Sequence, residues 1–253
     1  MNHAYNSSDS STAYEKFLAS PNGQIFRNVI GKTFLDALAP HPTSNILDAG
    51  CGDGWLAGLI AKNPGDDKTI EIHACDAGEP LIESAKIKYP DVQFTVCDLN
   101  KPLPYEKNYF DIVTASMVMH DVEDEAATFQ NVADVLKPGG KLIATIVNPY
   151  YGYPIGEWKR GIIGRLLMKK PRLRLARFYN EMARKNRPNF EWRPNLGSHF
   201  TPLSSHVTNG AKAGLALTNL EDIQSPTDSN EYNLTYQLHR FPIILLLEFT
   251  KQS

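Results

Sequence analysis

The sequence predicts an α/β fold with a doubly wound, mostly parallel sheet. Between residues 45 and 147, short apolar runs of strand length alternate with longer stretches of helical periodicity. Strands separated by helices pair in parallel through right-handed crossovers, which cover both faces of the sheet. The 253 residues are 42% hydrophobic, enough for one large core that carries a subdomain.

The elements of this core follow in a regular order. The first strand is NILDA, followed by the helix GWLAGLIAKN, the strand IEIHACD and the helix EPLIESAKIKYP, which ends at Pro90. The next two strands are VQFTVCD and FDIVTAS. The next helix is DVEDEAATFQNVADVLK, and the fifth strand is KLIATIVNP. We therefore expect five parallel strands in residues 45–148.

Segments on either side complete the predicted domain. Residues 1–44 are expected to form an N-terminal helical segment that includes SPNGQIFRNVIGKTFLDALAP. Residues 149–197 are too long for a plain connection, and prolines interrupt them, so they predict an inserted helical cap. Residues 198–253 predict a last helix ending near Gly214 and then two antiparallel edge strands, NEYNLTYQL and FPIILLLEFT.

The net charge of −2 conceals a strong segregation of charge. Between Lys159 and Arg193 there are 12 Lys or Arg and two acids, a formal charge of +10, whereas the rest of the chain carries −12. A cationic cap fits an anionic acceptor, nucleic acid, an anionic membrane face or a solvated outer surface. The sequence leaves these four readings open.

Cellular location and cysteine use are predicted from what the sequence lacks. It has no apolar run of about 18 residues that would span a bilayer. The first twenty residues lack the basic start and apolar core of a secretory signal, so we expect a cytoplasmic protein. Cys51, Cys75 and Cys97 show no CxxC spacing, which predicts small buried thiols, without a disulfide framework or a metal site.

Three glycines at alternate positions follow the first predicted strand. Gly50, Gly52 and Gly54 permit a tight turn and a close approach of the backbone to a ligand. Trp55 occupies the place of the third glycine of the dinucleotide fingerprint, and no GxxxxGK[ST] phosphate cradle is present. The loop therefore lacks the usual equipment for phosphates. Asp48, just before it, is expected to organise the loop amides.

Acidic residues end the next two predicted strands. Asp76 lies about 20 residues after the loop, where a carboxylate accepts hydrogen bonds from the hydroxyls of a ribose. Asp98 ends the third strand and, with the backbone of Leu99, would meet the edge of an adenine. Ligands of open α/β sheets bind at the carboxyl ends of the strands. The loop and the two acids therefore predict a pocket for a nucleoside without phosphates.

Five segments, in this order, resemble the motifs of class I S-adenosylmethionine-dependent methyltransferases. They are ILDAGCGDG, HACDAGEPLIESAK, VCDL, FDIVTASMVMHDVED and VLKPGGKLIATI. The resemblance implies a Rossmann-like sheet of seven strands with a reversed seventh strand. It also implies that S-adenosyl-L-methionine is the cofactor and S-adenosyl-L-homocysteine the product.

The resemblance further implies the residues of the cofactor site. The glycine loop and the two strand-end acids would hold the nucleoside, and the backbone after the fourth strand would border it. The N-terminal helices would fold over the cofactor. The implied cofactor-binding residues are Tyr14, Arg27, Gly50, Cys51, Gly52, Asp76, Ala77, Asp98, Leu99 and Ser116.

A catalytic base and an acceptor pocket are expected beyond the fourth and fifth strands. His120 follows the fourth strand, and the near-neutral pKa of histidine suits removal of a proton from a nucleophile. The same place reads SMVMHD and lacks the [DNS]PP[YFW] motif of enzymes that methylate amino groups in nucleic acids. Tyr151, Trp158 and His199 are the expected lining of a pocket for a small anionic or aromatic acceptor.

Two classes of function are consistent with these observations. The first is an enzyme that transfers a methyl group to oxygen, nitrogen or carbon of a small molecule, with RNA or a membrane-associated substrate as alternatives. The second is a non-catalytic module that binds the cofactor and regulates a partner through the cationic cap. A sulfonium methyl is already activated, so transfer mainly requires an aligned acceptor and exclusion of water.

Overall fold

A computed structural model describes residues 8–39, 45–64, 70–150, 156–159, 172–175, 201–225 and 239–253. Within these ranges a helix follows each of the strands β1, β2 and β4, and a loop connects β3 to β4, as the sequence predicts. In chain order the elements are α1 (Ser8–Ala19), α2 (Pro21–Leu38), β1 (Asn45–Ala49), α3 (Trp55–Lys62), β2 (Glu71–Asp76), α4 (Glu79–Lys88), β3 (Gln93–Val96), β4 (Phe110–Ser116), α5 (Glu125–Val135), β5 (Leu136–Val147), β6 (Gly156–Lys159), β7 (Arg172–Leu175), α6 (Leu203–Lys212), β8 (Leu215–Ile223) and β9 (Ile244–Lys251).

Seven of the described strands form one sheet in the order β3-β2-β1-β4-β5-β9-β8. Strands β1 to β5 pair in parallel, whereas β9 runs antiparallel to both of its neighbours, β5 and β8. The chain proceeds from β1 toward one edge and returns to the other side of β1 with β4. The carboxyl end of β1 is therefore the topological switch point, where open sheets bind ligands. The predicted fold class is confirmed.

Two apolar clusters cover the two faces of the sheet. Consecutive strand residues contribute to opposite clusters: Ile46 belongs to the cluster with α2 and α3, and Leu47 belongs to the cluster with α5. This alternation follows from the two-residue period of a strand. Because consecutive residues are buried on opposite faces of the sheet, parallel strands of this kind are apolar along their whole length. The continuous apolar runs in the sequence have this origin.

Edge strand β8 is the main difference from the predicted fold. The last helix ends at Lys212, and Gly214 turns the chain with a φ of +78°, close to the predicted helix end. The next nine residues form β8, which the sequence analysis did not predict. Residues 218–222 of β8 are exposed and include Asn, Glu and Asp, which are poor strand formers. The predicted strand NEYNLTYQL lies outside the described residues, and the predicted last strand is confirmed as β9.

The described part of the inserted segment is a pair of strands. Strands β6 and β7 pair antiparallel, from Gly156 opposite Leu175 to Lys159 opposite Arg172. The expectation of a helical cap is therefore wrong for these eight residues. The sequence RLRL of β7 alternates charged and apolar residues with a period of two, which is the pattern of a strand. The predicted domain boundaries stay a prediction.

The described helices are also informative about membranes. None of them is long and apolar enough to cross a bilayer.

Replacement of a core residue on the reversed strand tests the packing of the sheet. Phe249 is fully buried, and its ring lies 5.3 Å from that of Phe129 in α5. We expect Phe249→Ala to lower the free energy of unfolding by about 3–5 kcal/mol, because the cavity adds to the lost apolar burial. The control Ile87→Ala removes a side chain that is 85% exposed and should change it by less than about 0.5 kcal/mol. Equal losses in urea titrations would contradict this packing.

Candidate functional site

The loop between β1 and α3 turns through three glycines in the left-handed conformation. The φ angles are +74° at Gly50, +56° at Gly52 and +77° at Gly54. A Cβ at Gly50 would lie 2.3 Å from Val118, and a Cβ at Gly54 would lie 2.7 Å from Phe94. The sequence analysis attributed the glycines to a tight turn and to the approach of a ligand. The turn and the packing of these two side chains already require glycine at positions 50 and 54.

Hydrogen bonds from β2 hold this loop in place. The amides of Gly50 and Cys51 both donate to the carbonyl of Cys75, at 2.7 and 3.0 Å. The amide of Gly52 donates to Oδ2 of Asp76 at 2.9 Å. The end of β2 therefore fixes the position of the turn that follows β1.

Asp76 stands at the carboxyl end of β2, beside the loop. Its Oδ1 accepts a hydrogen bond from the amide of Gly78 at 2.7 Å, and its Oδ2 accepts the one from Gly52. An ionised carboxylate has about four acceptor positions, which suits hydroxyl groups as well as backbone amides. Ala77 lies between these contacts, at the start of the connection to α4. The residues predicted for the ribose are thus brought together.

Asp98 follows β3 at the same edge of the sheet, with 10% of its side chain exposed. Its Oδ1 accepts hydrogen bonds from the amide and from Nδ2 of Asn100, at 3.0 and 2.7 Å. Oδ1 of Asn100 in turn accepts from the amide of Asp124, the N-cap of α5. The carbonyl of Leu99 accepts from Asn131 in α5 at 2.9 Å. Helix α5 therefore fixes the segment predicted to meet an adenine.

Asn100 is a site residue that the sequence analysis missed. Its amide group bridges Asp98 and the N-terminus of α5. The available signal was the D-x-N spacing in DLN, since Asp side chains bond the backbone two residues further on.

Ser116 and His120 belong to the connection after β4, which ends at the same sheet edge. Ser116 is the last residue of β4, and Met117 has a φ of +56°, which is uncommon outside glycine. His120 is 12% exposed, and its Nε2 lies 3.8 Å from Oδ1 of Asp121. The role of His120 as a base stays a prediction.

The N-terminal helices reach the loop through α2. Nη2 of Arg27 donates to Oδ2 of Asp53 at 2.9 Å, and the guanidinium lies 5.8 Å from the centre of the Trp55 ring. Asp53 is a buried loop residue that the sequence analysis did not select. Tyr14 is in α1, but its side chain lies outside the described residues.

One carboxyl group and one thiol group at the loop, those of Asp48 and Cys51, are shielded from water. Asp48 is 1% exposed, and its Oδ1 accepts a hydrogen bond from Oγ1 of Thr114 at 2.9 Å. Burial raises the pKa of Asp48 to about 7, although the Thr114 hydroxyl and the Ala57 amide oppose this shift. Burial likewise raises the pKa of the Cys51 thiol well above its ordinary value. Cys51 and Cys75 are buried thiols, as predicted, and Cys97 is half-buried.

The side chains predicted for the acceptor pocket lie outside the described residues. Tyr151 and His199 lie outside the described residues, and Trp158 is in β6, but its side chain is also outside them. Within the described ranges, no three His, Cys, Asp or Glu side chains are grouped as a metal site requires.

Comparison with known proteins identifies the domain. Residues 47–144 match the family model described as a methyltransferase domain. The demethylmenaquinone methyltransferase of Beutenbergia cavernae is 29% identical over 109 residues, which are 43% of this chain and 43% of the relative. The ubiquinone biosynthesis O-methyltransferase of Paracidovorax citrulli is 31% identical over 125 residues, 46% of this chain and 48% of the relative. The matches thus span about half the length of these relatives.

A solved structure extends the similarity of the fold. The crystal structure of an S-adenosylmethionine-dependent methyltransferase from Mesorhizobium loti aligns with a TM-score of 0.68 and 24% identity. It covers 87% of this chain and 96% of that protein. Residues 47–144 therefore match a methyltransferase domain, and the fold is that of an S-adenosylmethionine-dependent methyltransferase. That protein depends on S-adenosylmethionine, the cofactor that the sequence analysis predicts for this chain.

The residues present fit this cofactor. Asp76 and Asp98 supply carboxylate acceptors at the ends of adjacent parallel strands, and the glycine loop stands over the next strand, β1. The carboxylate of Asp76 lies beside the glycine loop, and the carbonyl of Leu99 is hydrogen-bonded to α5. The donors and acceptors are those of a nucleoside site.

The buried carboxyl of Asp48 makes stability depend on pH. In the unfolded chain it ionises near pH 3.8, and in the folded chain near pH 7, so the folded chain binds the extra proton between these values. Stability should therefore fall as the pH rises from about 4 to about 7, by about 4 kcal/mol in total. The Asp48→Asn variant lacks this contribution.

Urea unfolding of both proteins between pH 4.5 and 7.5 measures the effect. We expect the stability of the wild type relative to Asp48→Asn to decrease steadily with pH. The variant Asp36→Asn, altered at an exposed carboxylate, should follow the wild type. A difference between wild type and Asp48→Asn that does not vary with pH would refute the raised pKa.

Proposed function

We propose that the chain is an S-adenosylmethionine-dependent methyltransferase that acts on a small-molecule acceptor by in-line methyl transfer. The observation that carries this proposal is the convergence of the glycine loop, Asp76 and Asp98 at one edge of the sheet, within a domain that matches the methyltransferase family. Ligands of open α/β sheets bind at this edge.

The side chains of the site have separable tasks. When bound, S-adenosylmethionine supplies a methyl group on a sulfonium, which needs no further activation. Asp76 accepts hydrogen bonds from the ribose, and Asp98 with the Leu99 backbone orients the adenine. The backbone of Ser116 borders the cofactor. Alignment of the two reactants and exclusion of water then account for most of the rate enhancement.

His120 is the proposed base for acceptors that lose a proton. Its loop follows β4 and is half-buried, next to the edge where the cofactor binds. Histidine takes up a proton near neutral pH, so a partly shielded imidazole suits this task. The base is needed only where the acceptor atom is protonated before transfer.

The acceptor is proposed to be small and anionic or aromatic. The names of the two relatives refer to demethylmenaquinone and to ubiquinone biosynthesis, and this supports a small molecule. The charge of +10 between Lys159 and Arg193 supports an anionic group on the acceptor. Tyr151, Trp158 and His199 are the proposed lining residues. RNA and a membrane-associated substrate are the alternative acceptors, and the predicted cytoplasmic location stays a prediction.

Removal of the Asp76 carboxylate tests the cofactor site. Two hydrogen bonds from ribose hydroxyls to a charged acceptor contribute about 1.5–3 kcal/mol each. We expect Asp76→Ala to weaken the binding of S-adenosyl-L-homocysteine at least about 100-fold in isothermal titration calorimetry. The control Asp91→Ala, at an exposed position after α4, should bind like the wild type. Equal affinity of Asp76→Ala and wild type would rule out this assignment.

A second assay separates an enzyme from a binding module. The wild type is incubated with methyl-labelled S-adenosylmethionine and a metabolite extract. An enzyme yields a labelled small-molecule product, whereas a module that only binds the cofactor yields none.

A further inference from the structure

A series of paired charged side chains connects the glycine loop to the helices α1, α2 and α4. Asp53 lies in the loop between Gly52 and Gly54, and only 3% of its side chain is exposed. Its Oδ2 accepts a hydrogen bond from Arg27 of α2 at 2.9 Å and lies 3.4 Å from Nζ of Lys88 in α4. The same Nζ donates to Oε1 of Glu15 in α1 at 2.8 Å.

Asp53, the buried end of this series of charged side chains, depends most on its partners. A carboxylate out of water is stable only when cations or donors satisfy it, and removal of one partner leaves an uncompensated charge. Asp53 is nearly fully buried, whereas Arg27 and Lys88 are partly exposed. The two cations therefore hold the loop residue, and through it they hold the loop.

Glu15, at the other end of this series of charged side chains, connects α1 to α4. Oε1 of Glu15 also accepts from Oγ of Ser84 at 2.9 Å. The hydrogen bond from Lys88 lowers the pKa of Glu15, so this carboxylate stays ionised at neutral pH. Helix α1 is thus attached to the same lysine that contacts the loop.

The loop has two anchors on opposite sides. On one side the amide of Gly52 donates to Asp76, the proposed ribose ligand. On the other side the next residue, Asp53, is held by Arg27 and Lys88. A single peptide unit therefore separates the side chain held by α2 and α4 from the amide that contacts Asp76.

We propose that Asp53 is a positioning residue for the cofactor, which couples the docking of α1 and α2 to the binding of S-adenosylmethionine. Arg27, predicted from the sequence to contact the cofactor, acts in this scheme through Asp53. The proposal rests on the proposed function, because it assigns a role at the same cofactor site. A purely structural ion pair would stabilise the fold and leave cofactor affinity unchanged.

Three variants separate these two roles. Asp53→Asn keeps the shape of the side chain but removes its charge, and Glu15→Gln alters the half-exposed end, where the fold tolerates change. Asp36→Asn is the control, since it breaks an exposed ion pair with Lys32 on α2. The affinity for S-adenosyl-L-homocysteine is measured by calorimetry. Hydrogen exchange of the α1 amides is measured with and without this ligand. A structural role alone would not make the protection of α1 depend on the ligand.

We expect Asp53→Asn to weaken ligand binding about tenfold or more and Glu15→Gln about threefold, while Asp36→Asn binds like the wild type. The ligand should protect α1 amides from exchange in the wild type, and this protection should be lost in Asp53→Asn and reduced in Glu15→Gln. If Asp53→Asn does not fold, Glu15→Gln decides the question alone. Unchanged affinity and unchanged protection in the folded variants would overturn the coupling. Absence of binding by the wild type would instead overturn the proposed function.

Discussion

The turn after β1 is held mainly by hydrogen bonds and ion pairs from other elements. Its backbone passes through the left-handed region at Gly50 and Gly52, where it forms no regular ladder. The carbonyl of Cys75 and the carboxylate of Asp76 bind it from β2, and the buried carboxylate of Asp53 connects it to the helices. Because β1 lies at the switch point of the sheet, these bonds also shape the sheet edge where the cofactor is proposed to bind.

The ligand that this sheet edge suits depends on which of its charged groups are already paired. Arg27 and Lys88 are both paired with acids, so they neutralise Asp53 and Glu15. Burial keeps Asp48 protonated up to a pH of about 7. The carboxylates of Asp76 and Asp98 are then the proposed acceptors for a ligand, since the amides of Gly50, Cys51 and Gly52 already donate to β2. These carboxylates match the hydroxyls and amino group of a nucleoside better than the charges of a pyrophosphate.

The parallel core and the gathering of the glycine loop, Asp76 and Asp98 at one sheet edge could be predicted from the sequence, because they depend on local patterns. Buried parallel strands are apolar throughout, and the residues that end them gather at one edge. Strand β8 was missed because its exposed residues carry no apolar alternation. Asp53 was missed for a different reason: Arg27 and Lys88 are 26 and 35 residues away along the chain, and no local pattern signals such contacts.

The most direct measurement compares ligands that share adenosine but differ in phosphate. Calorimetry with S-adenosyl-L-homocysteine, ATP and NAD would report which chemistry the cleft accepts. We expect S-adenosyl-L-homocysteine to bind at least about 100-fold more tightly than either phosphate-bearing ligand, because the loop lacks a phosphate cradle. Tighter or equal binding of ATP or NAD would contradict the assignment of the cleft to an uncharged nucleoside.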